Sequence, residues 1–240
     1  MVKIKKINMK CIILAGGKGS RLSELTKSIP KPMVKISDKP IIFHIMNHYR
    51  KYGIKEFIIA AGYKKNIIEN YFKKRKFFDW KIKIVDTGLK TMTGGRLKRL
   101  EKYIDKDEDF LFTYGDGISN VNIKKLIKFH LKEKKILTVT AVHPPARFGE
   151  IVLNRNLVKS FKEKPQVKNG WINGGFFVSN YKFFKFIKKD SDILEKTPLE
   201  NLCKKKQLAA FKHGGFWKCM DTIRDRDVLI DIYKKNEKMY

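Results

Sequence analysis

The 240-residue chain lacks long apolar runs, is poor in cysteine and contains few acidic residues. Its longest apolar stretches, such as Cys11–Ala15 and Phe57–Gly62, are far shorter than the roughly 20 residues that a membrane-spanning helix needs, and no signal-peptide core precedes them. Three cysteines without paired spacing argue against a disulfide framework or a zinc site. We therefore expect a cytoplasmic protein whose cysteines are reduced.

Acidic residues number 24 against 54 basic ones, which gives a formal net charge of +30. Such a charge alone suggests a polyanionic partner such as nucleic acid. Only 9 of the basic residues are arginine, however, and the lysines are scattered along the chain without a nucleic-acid docking motif. We predict neither a nucleic-acid nor a membrane partner, and we expect the positive field to attract small substrates that carry phosphate.

The hydrophobic pattern alternates strands with helices, which predicts βαβ units and a mostly parallel sheet. No linker interrupts the chain, so we predict one domain over residues 1–240, with residues 1–9 as a basic extension. The predicted strands are Met9–Ala15, Phe57–Ala61, Ile82–Val85, Asp109–Tyr114, Leu137–Val142 and a hairpin of Glu150–Leu153 with Leu157–Phe161. The predicted helices are Ile41–Tyr52, Ile67–Phe72, Gly95–Tyr103, Asn122–Glu133 and Asp225–Lys235.

The first predicted strand leads into a glycine-rich loop, Gly16–Arg21. Glycines at such a position let backbone N–H groups approach phosphate oxygens. The spacing matches neither the Walker loop nor the dinucleotide loop, so the loop alone is equally consistent with a tight turn. Ten residues further, Lys31 lies between Pro30 and Pro32, which stiffen its backbone. The loop, Arg21 and Lys31 together favour a phosphate site.

The stretch Leu14–Leu22 followed by Pro30–Met33 resembles the two-part signature of the sugar-nucleotide pyrophosphorylases, or sugar-phosphate nucleotidyltransferases. Further stretches resemble the glucose-1-phosphate cytidylyltransferase branch of that family. They are Asp86–Gly88, Met92–Arg99, Phe112–Gly117, Gly170–Phe177 and Gly215–Thr222. The resemblance extends from about Lys10 to the C-terminal helix.

This resemblance implies a Rossmann-like, mostly parallel but mixed sheet flanked by helices, of the nucleotide-diphospho-sugar transferase type. It implies Mg²⁺-dependent transfer of a cytidylyl group from CTP to glucose 1-phosphate, which gives CDP-glucose and pyrophosphate. It also implies a homo-oligomer and a role in sugar-nucleotide supply for lipopolysaccharide O-antigen. One departure is the segment Lys73–Lys83, which is shorter than in that branch, where an insertion contributes to subunit contacts and lies near the nucleotide.

The resemblance also assigns site residues. Arg21 and Lys31 would hold the phosphates and are the predicted catalytic residues, and Asp116 and Asp221 would bind Mg²⁺. The predicted nucleotide-binding residues are Leu14, Ala15, Gly16, Gly17, Lys18, Gly19, Ser20, Arg21, Lys31, Thr91, Arg96 and Gly115. The predicted sugar-phosphate-binding residues are Gly149, Glu163, Lys164, Asn173 and Gly174.

The residues taken alone leave alternatives open for several of these positions. Asp116 follows a predicted strand, where open α/β sheets place their ligands, but an aspartate before glycine is also common in turns. Asp221 could cap the helix that begins near Ile223 or bind a metal. Thr91 could be a surface loop residue, and Arg96 a helix-start residue.

Two other functions remain open besides a basic nucleic-acid-binding module, which predicts tight, salt-sensitive retention of DNA. The same chemistry could use UTP, dTTP or another sugar 1-phosphate, and competition among nucleotides would separate these cases. A non-catalytic protein that binds nucleotide or sugar phosphate could keep the fold without turnover. The joint presence of Arg21, Lys31, Asp116, Lys164 and Asp221 argues against that second case, since binding alone does not require all five.

Overall fold

The computed structural model describes residues 9–75, 79–144, 150–162 and 170–235. Its strands are β1 (Lys10–Ala15), β2 (Lys35–Ile36), β3 (Lys39–Pro40), β4 (Glu56–Ala61), β5 (Lys81–Asp86), β6 (Phe110–Tyr114), β7 (Gly117–Ser119), β8 (Leu137–Val142), β9 (Glu150–Asn154), β10 (Leu157–Lys162), β11 (Ile172–Ser179), β12 (Leu208–His213) and β13 (Trp217–Cys219). Its α-helices are α1 (Ser23–Thr26), α2 (Ile41–Lys51), α3 (Lys65–Lys73), α4 (Thr93–Arg99), α5 (Ile123–Glu133), α6 (Thr197–Lys204) and α7 (Ile223–Lys235). Turns of 3₁₀-helix lie at Ser20–Leu22, Lys31–Met33, Glu101–Tyr103 and Tyr181–Phe186.

A seven-stranded sheet organises the molecule, in the order β12-β8-β11-β6-β1-β4-β5. The pairs β1/β4, β1/β6, β4/β5 and β8/β12 are parallel, whereas β11 runs antiparallel to both of its neighbours. The predicted mixed and mostly parallel sheet is therefore confirmed. Two-stranded pairs β2/β3, β7/β13 and β9/β10 are added to it, and the last of these is the predicted hairpin.

Each face of the sheet contacts its own hydrophobic core. In β1, Cys11 and Ile13 face a core formed with α2, α3, α5 and α7, while Ile12 and Leu14 face a second core formed with α4 and α6. Strands that are buried on both faces are continuously apolar, which is why β1 and β4 were predictable from the sequence. The second core includes stacked rings, such as Phe112 and Phe177 with centroids 4.3 Å apart.

Most of the predicted elements are present, within one or two residues of their predicted ends. The helix predicted at Gly95–Tyr103 is wrong in its extent: α4 begins at Thr93 and ends at Arg99, and a separate 3₁₀ turn follows. Strand β11 was not predicted, because Gly174 and Gly175 interrupt its apolar pattern. Among the described residues, no helix has the length and apolar character required to cross a membrane.

The carboxyl ends of three neighbouring strands lie at one edge of the sheet. Ala15 of β1 is in register with Ala61 of β4, and Leu14 is in register with Tyr114 of β6. The glycine loop after β1, the turn after β4 and Gly115–Asp116 after β6 therefore meet at this edge. Open α/β sheets bind their ligands at such an edge.

Candidate active site

The glycine loop borders an open cavity of about 520 Å³, here called the glycine-loop cavity. Every residue that the sequence predicts to bind nucleotide lines this cavity. The local structure requires glycine at two positions of this loop. Gly19 has a φ of 66°, in the left-handed region, and Gly16 has no room for a side chain. The structure thus brings the predicted set together, and its binding role stays a prediction.

The guanidinium of Arg96 explains why Gly16 has no room. A Cβ atom at Gly16 would lie 2.1 Å from Arg96 Nη1, and one at Gly62 would lie 2.6 Å from the same atom. Arg96 is only 4% exposed, and its Nη1 donates to Thr87 Oγ1 (2.6 Å) and to the carbonyl oxygen of Gly88 (2.7 Å). Burial lowers the pKa of Arg96, with the Arg99 charge as a smaller cause. Arg96 is thus a buried support of the loop as well as part of the cavity wall.

The N-terminal end of α4 packs against residues 190–192. The backbone N–H of Gly94 donates to the carbonyl oxygen of Asp192 (2.9 Å), and a Cβ at Gly95 would lie 2.3 Å from the carbonyl oxygen of Asp190. The paired glycines therefore serve close packing against residues 190–192. Thr91, just before them, is 6% exposed, so the interpretation of Thr91 as a surface loop residue is wrong.

Lys31 joins the two predicted metal ligands. Its Nζ donates to Asp116 Oδ2 (2.6 Å) and to Asp221 Oδ1 (2.8 Å), while Arg21 Nη1 donates to Asp221 Oδ2 (2.8 Å). Burial alone would lower the pKa of Lys31, but the two carboxylates outweigh it and the net pKa is raised. The Lys31 ammonium is therefore charged, and residues far apart in the sequence form one compact ionic cluster.

Asp221 is available to this cluster because other residues cap α7. Thr222 Oγ1 accepts from the backbone N–H of Asp225 (3.1 Å), and Asp225 Oδ2 accepts from the backbone N–H of Thr222 (3.0 Å). This reciprocal pair is a capping box. The interpretation of Asp221 as the helix cap is therefore wrong, and its carboxylate points at Lys31 and Arg21 instead.

The donor atoms around Asp116 fit a divalent cation. One ligand atom each from Asp116, Cys219 and Asp221 lies within 4.8 Å of the others. Carboxylate oxygens are the ligands that Mg²⁺ prefers, whereas a thiol is a soft donor. Burial, followed by the Asp116 carboxylate, raises the pKa of Cys219, so its thiol stays protonated. The two aspartates are thus the members of this group that suit Mg²⁺.

A second cavity of about 350 Å³, here called the β11 cavity, adjoins the first. Arg21, Thr93, Tyr114 and Asp116 line both cavities. The predicted sugar-side residues Asn173 and Gly174 and the predicted metal ligand Asp221 also line the β11 cavity. Gly149, Glu163 and Lys164 lie outside the described residues.

The two glycines of β11 are packed against the chain itself. A Cβ at Gly174 would lie 2.7 Å from Val142 Cγ1, and one at Gly175, whose φ is 78°, would lie 2.5 Å from the Tyr114 ring. The carbonyl oxygen of Gly174 accepts a hydrogen bond from Trp217 Nε1 (2.7 Å). Close packing explains both glycines, and a sugar contact at Gly174 stays a prediction.

Sequence reasoning missed several polar residues of the β11 cavity, among them Thr93, Tyr114 and Glu195. Glu195 connects the other two. Its Oε2 accepts from Thr93 Oγ1 (2.9 Å), and its Oε1 accepts from the hydroxyl of Tyr114. Asn173 Nδ2 in turn donates to the Tyr114 hydroxyl (3.2 Å). Burial, followed by the Glu195 charge, raises the pKa of Tyr114, so the hydroxyl remains a donor. No motif or helical spacing marks Glu195, and only the tertiary contacts identify it.

Known proteins are similar to this chain along most of its length. The sequence profile of the nucleotidyl transferase family matches residues 10–223. The chain belongs to the nucleotidyl transferase family. This nucleotidyl transferase is 44% identical to a glucose-1-phosphate cytidylyltransferase of Salmonella typhimurium over 95% of this chain and 97% of that relative. The predicted family and the predicted enzyme class are therefore confirmed.

Two further comparisons define the range of this nucleotidyl transferase's relatives. It is 40% identical to a D-glycero-alpha-D-manno-heptose 1-phosphate guanylyltransferase of Campylobacter jejuni, over 71% of this chain and 75% of the relative. The crystal structure of HddC from Yersinia pseudotuberculosis superposes with a TM-score of 0.75 at 26% identity, covering 94% of this chain and 99% of that one. The predicted fold is confirmed by this match, and the names of the two sequence relatives differ in base and sugar.

Proposed function

We propose that this nucleotidyl transferase transfers the cytidylyl group of CTP to glucose 1-phosphate, giving CDP-glucose and pyrophosphate. The observation that carries the proposal is the pair of adjoining cavities that share Arg21, Thr93, Tyr114 and Asp116. A nucleotide in one cavity and a sugar phosphate in the other would have their phosphates meet beside Arg21, the cation among these shared residues. The choice of CTP and glucose rests on the cytidylyltransferase that is 44% identical over almost the whole chain.

In the proposed reaction a phosphate oxygen of glucose 1-phosphate attacks the α-phosphorus of CTP. A new oxygen–phosphorus bond forms, and the bond from the α-phosphorus to the oxygen that bridges to the β-phosphorus breaks, releasing pyrophosphate. The attacking oxygen is already anionic, so the reaction needs no general base. The work of the protein is to position the phosphates and to offset their charge. The cations Arg21, in the wall that the cavities share, and Lys31, in the glycine-loop cavity, can do this.

We also propose that Asp116 and Asp221 hold Mg²⁺. A divalent cation there would supply positive charge beside the phosphates. The protein's own part is the paired carboxylates, which Lys31 and Arg21 hold in place by hydrogen bonds of 2.6 and 2.8 Å. Calorimetric titration with Mg²⁺ should show binding to the unaltered protein and at least tenfold weaker binding to Asp116→Asn. Equal affinities would reject these ligands.

The test of the reaction is pyrophosphate release from purified protein with glucose 1-phosphate and Mg²⁺. CTP, UTP, dTTP, ATP and GTP are supplied in separate reactions. Release with CTP alone is the expected result. Release with another nucleotide would keep the mechanism and reject the base, and the 40% identity to a guanylyltransferase makes GTP an informative arm. No release with any of the five, also when heptose 1-phosphate replaces glucose 1-phosphate, would favour a protein that binds without turnover.

We further infer that the enzyme works in the cytoplasm as a homo-oligomer and supplies a sugar nucleotide for surface polysaccharide. This inference rests on the resemblance of the sequence to the glucose-1-phosphate cytidylyltransferase branch. Light scattering of the purified protein tests the oligomer, and a monomer at all concentrations would reject it.

A further inference from the structure

The β11 cavity has one carboxylate that the proposed chemistry does not use. Glu195 lies on the segment before α6 and lines this cavity. Asp116 and Asp221, which line the same cavity, are each bonded to Lys31. Within the described part of the chain, no lysine or arginine forms an ion pair with Glu195. No cationic side chain of the described residues is thus paired with its charge.

Neutral hydroxyl groups fix the orientation of this carboxylate. Thr93 donates to one oxygen and Tyr114 to the other. Both donors are themselves held, since Thr93 Oγ1 accepts from the backbone N–H of Leu194 (2.9 Å) and the Tyr114 hydroxyl accepts from Asn173 Nδ2 (3.2 Å). Each carboxylate oxygen has two lone pairs and one donor, so each can accept a second hydrogen bond. The side chain is a preoriented acceptor that faces open space.

The lining of the β11 cavity includes groups of both charges. Arg21 lines it, and the ammonium of Lys31 is bonded to its aspartates Asp116 and Asp221, so these cations suit a phosphate. The carboxylate of Glu195 would repel phosphate but would accept a hydrogen bond from an uncharged hydroxyl. A sugar 1-phosphate has this polarity, with a dianion at one position and hydroxyls around the rest of the ring.

We propose that Glu195 is a specificity-determining residue that accepts a hydrogen bond from one ring hydroxyl of the sugar 1-phosphate. This inference rests on the proposed function for the identity of the sugar, and it extends that function by naming the acceptor. A substrate that lacks the hydroxyl leaves the carboxylate without its partner, so the enzyme discriminates against that deoxy sugar. Hydrogen bonds to charged groups correspond to a discrimination of about 10- to 100-fold.

The test pairs one substitution with a series of sugars. The kcat/KM values of the unaltered enzyme and of Glu195→Gln are measured with glucose 1-phosphate and with its 2-, 3-, 4- and 6-deoxy analogues, using the nucleotide that gives turnover. Glu195→Gln should lower kcat/KM for glucose 1-phosphate by about 10- to 100-fold, mainly through KM. One analogue should show a similar loss with the unaltered enzyme and no further loss with Glu195→Gln.

The dependence of the Glu195→Gln effect on one sugar hydroxyl distinguishes a sugar contact from a structural role. If Glu195 only holds Thr93 and Tyr114, the substitution lowers kcat/KM by the same factor for every sugar, and the proposal fails. Equal values for the two enzymes on all sugars also overturn it. Glu200→Gln, an exposed substitution on α6, is the matched control and should leave the whole series unchanged. Glu195→Asp, which keeps the charge but shortens the reach, replaces Glu195→Gln if the latter fails to fold.

Failure of the proposed function gives a different pattern. If no nucleotide supports turnover, the dissociation constants of the same sugar phosphates are measured by calorimetry with both proteins. Weaker binding of glucose 1-phosphate to Glu195→Gln, with one analogue bound equally by the two proteins, then supports the acceptor role although the transfer reaction is rejected. Equal binding across the series overturns the role of Glu195.

Discussion

The two cavities that meet at Asp116 are shaped by opposite means. The glycine-loop cavity depends on missing side chains, since Gly16 and Gly62 leave room for the buried guanidinium of Arg96. The β11 cavity depends on side chains that are present and hydrogen-bonded, with Glu195 held by Thr93 and Tyr114. A backbone-lined cavity suits phosphates, which many N–H groups can bind, whereas fixed side chains suit the distinct hydroxyls of a sugar.

Substitution of Lys31 should have the largest effect, because its ammonium holds both Asp221 and Asp116, and Asp116 lines both cavities. Lys31→Met leaves Asp116 and Asp221 without the ammonium that joins them and removes a charge beside the phosphates. Turnover measured as pyrophosphate release should fall about 10³-fold, as for loss of one electrostatic group in other enzymes. Lys27→Met, an exposed lysine near the loop, is the control and should retain full turnover. Equal rates for the two variants would remove Lys31 from the reaction.

Adding one methyl group tests whether the glycine-loop cavity depends on the absence of side chains at its glycines. Gly16→Ala places a Cβ 2.1 Å from Arg96 Nη1, so Arg96 must move and lose its hydrogen bonds to Thr87 and Gly88. We expect the free energy of unfolding, measured in urea, to fall by about 2–3 kcal/mol. Gly17→Ala is the matched control, because a Cβ there meets no atom within 4 Å. A loss of the same size at both glycines would mean that loop strain, and not Arg96, is the cause.

Cys219, which lines the β11 cavity, should react only slowly with alkylating reagents. Burial and the Asp116 carboxylate raise the pKa of Cys219, so the reactive thiolate is scarce at pH 8. Iodoacetamide should modify the exposed Cys203 at least tenfold faster than Cys219, and the fully buried Cys11 should remain unmodified. Mass spectrometry of timed samples measures the rates. Raising the pH toward the raised pKa should speed modification of Cys219, and fast labelling at pH 8 would contradict the protonated thiol.

The smallest effect concerns a single hydrogen bond that supports only the β11 cavity. Trp217→Phe removes the bond from Nε1 to the carbonyl oxygen of Gly174 and keeps most of the ring packing. We expect a loss of about 1 kcal/mol, seen as a several-fold higher KM for glucose 1-phosphate. The KM for the nucleotide should stay unchanged. A rise in both values would show that the cavities do not act separately.

The sequence predicted the glycine-loop cavity better than the β11 cavity, and the reason is physical. Strands β1, β4 and β6 are buried on both faces and are therefore continuous apolar runs, and the loop residues that follow β1 are neighbours in the chain. Strand β11 contains Gly174 and Gly175, whose packing against Val142 and Tyr114 is visible only in three dimensions. Local pattern alone predicted a turn or a sugar contact at that position.

Two further residues show where sequence reasoning stopped. The spacing of Thr222 and Asp225 is that of a capping box, so the sequence itself could have shown that Asp221 is not the helix cap. Glu195 had no comparable signal, because its partners Thr93 and Tyr114 lie about 100 and 80 positions away. Rules for residues close in sequence can identify caps and loops. A carboxylate bound by hydroxyls that are distant in sequence can be recognised only in the folded structure.

The guanidinium of Arg96, which occupies the space beside Gly16, also predicts epistasis. The three nearest neighbours of a Cβ at Gly16 are all atoms of that guanidinium, so Gly16 tolerates a methyl group only if the arginine moves. Arg96→Ala should therefore make Gly16→Ala far less harmful than it is beside the native arginine. Gly62→Ala should stay harmful, because its Cβ also lies 2.8 Å from the carbonyl oxygens of Gly16 and Gly88. In a library of random variants, alanine at Gly16 should survive together with loss of the arginine, so the two positions should be inherited as a pair.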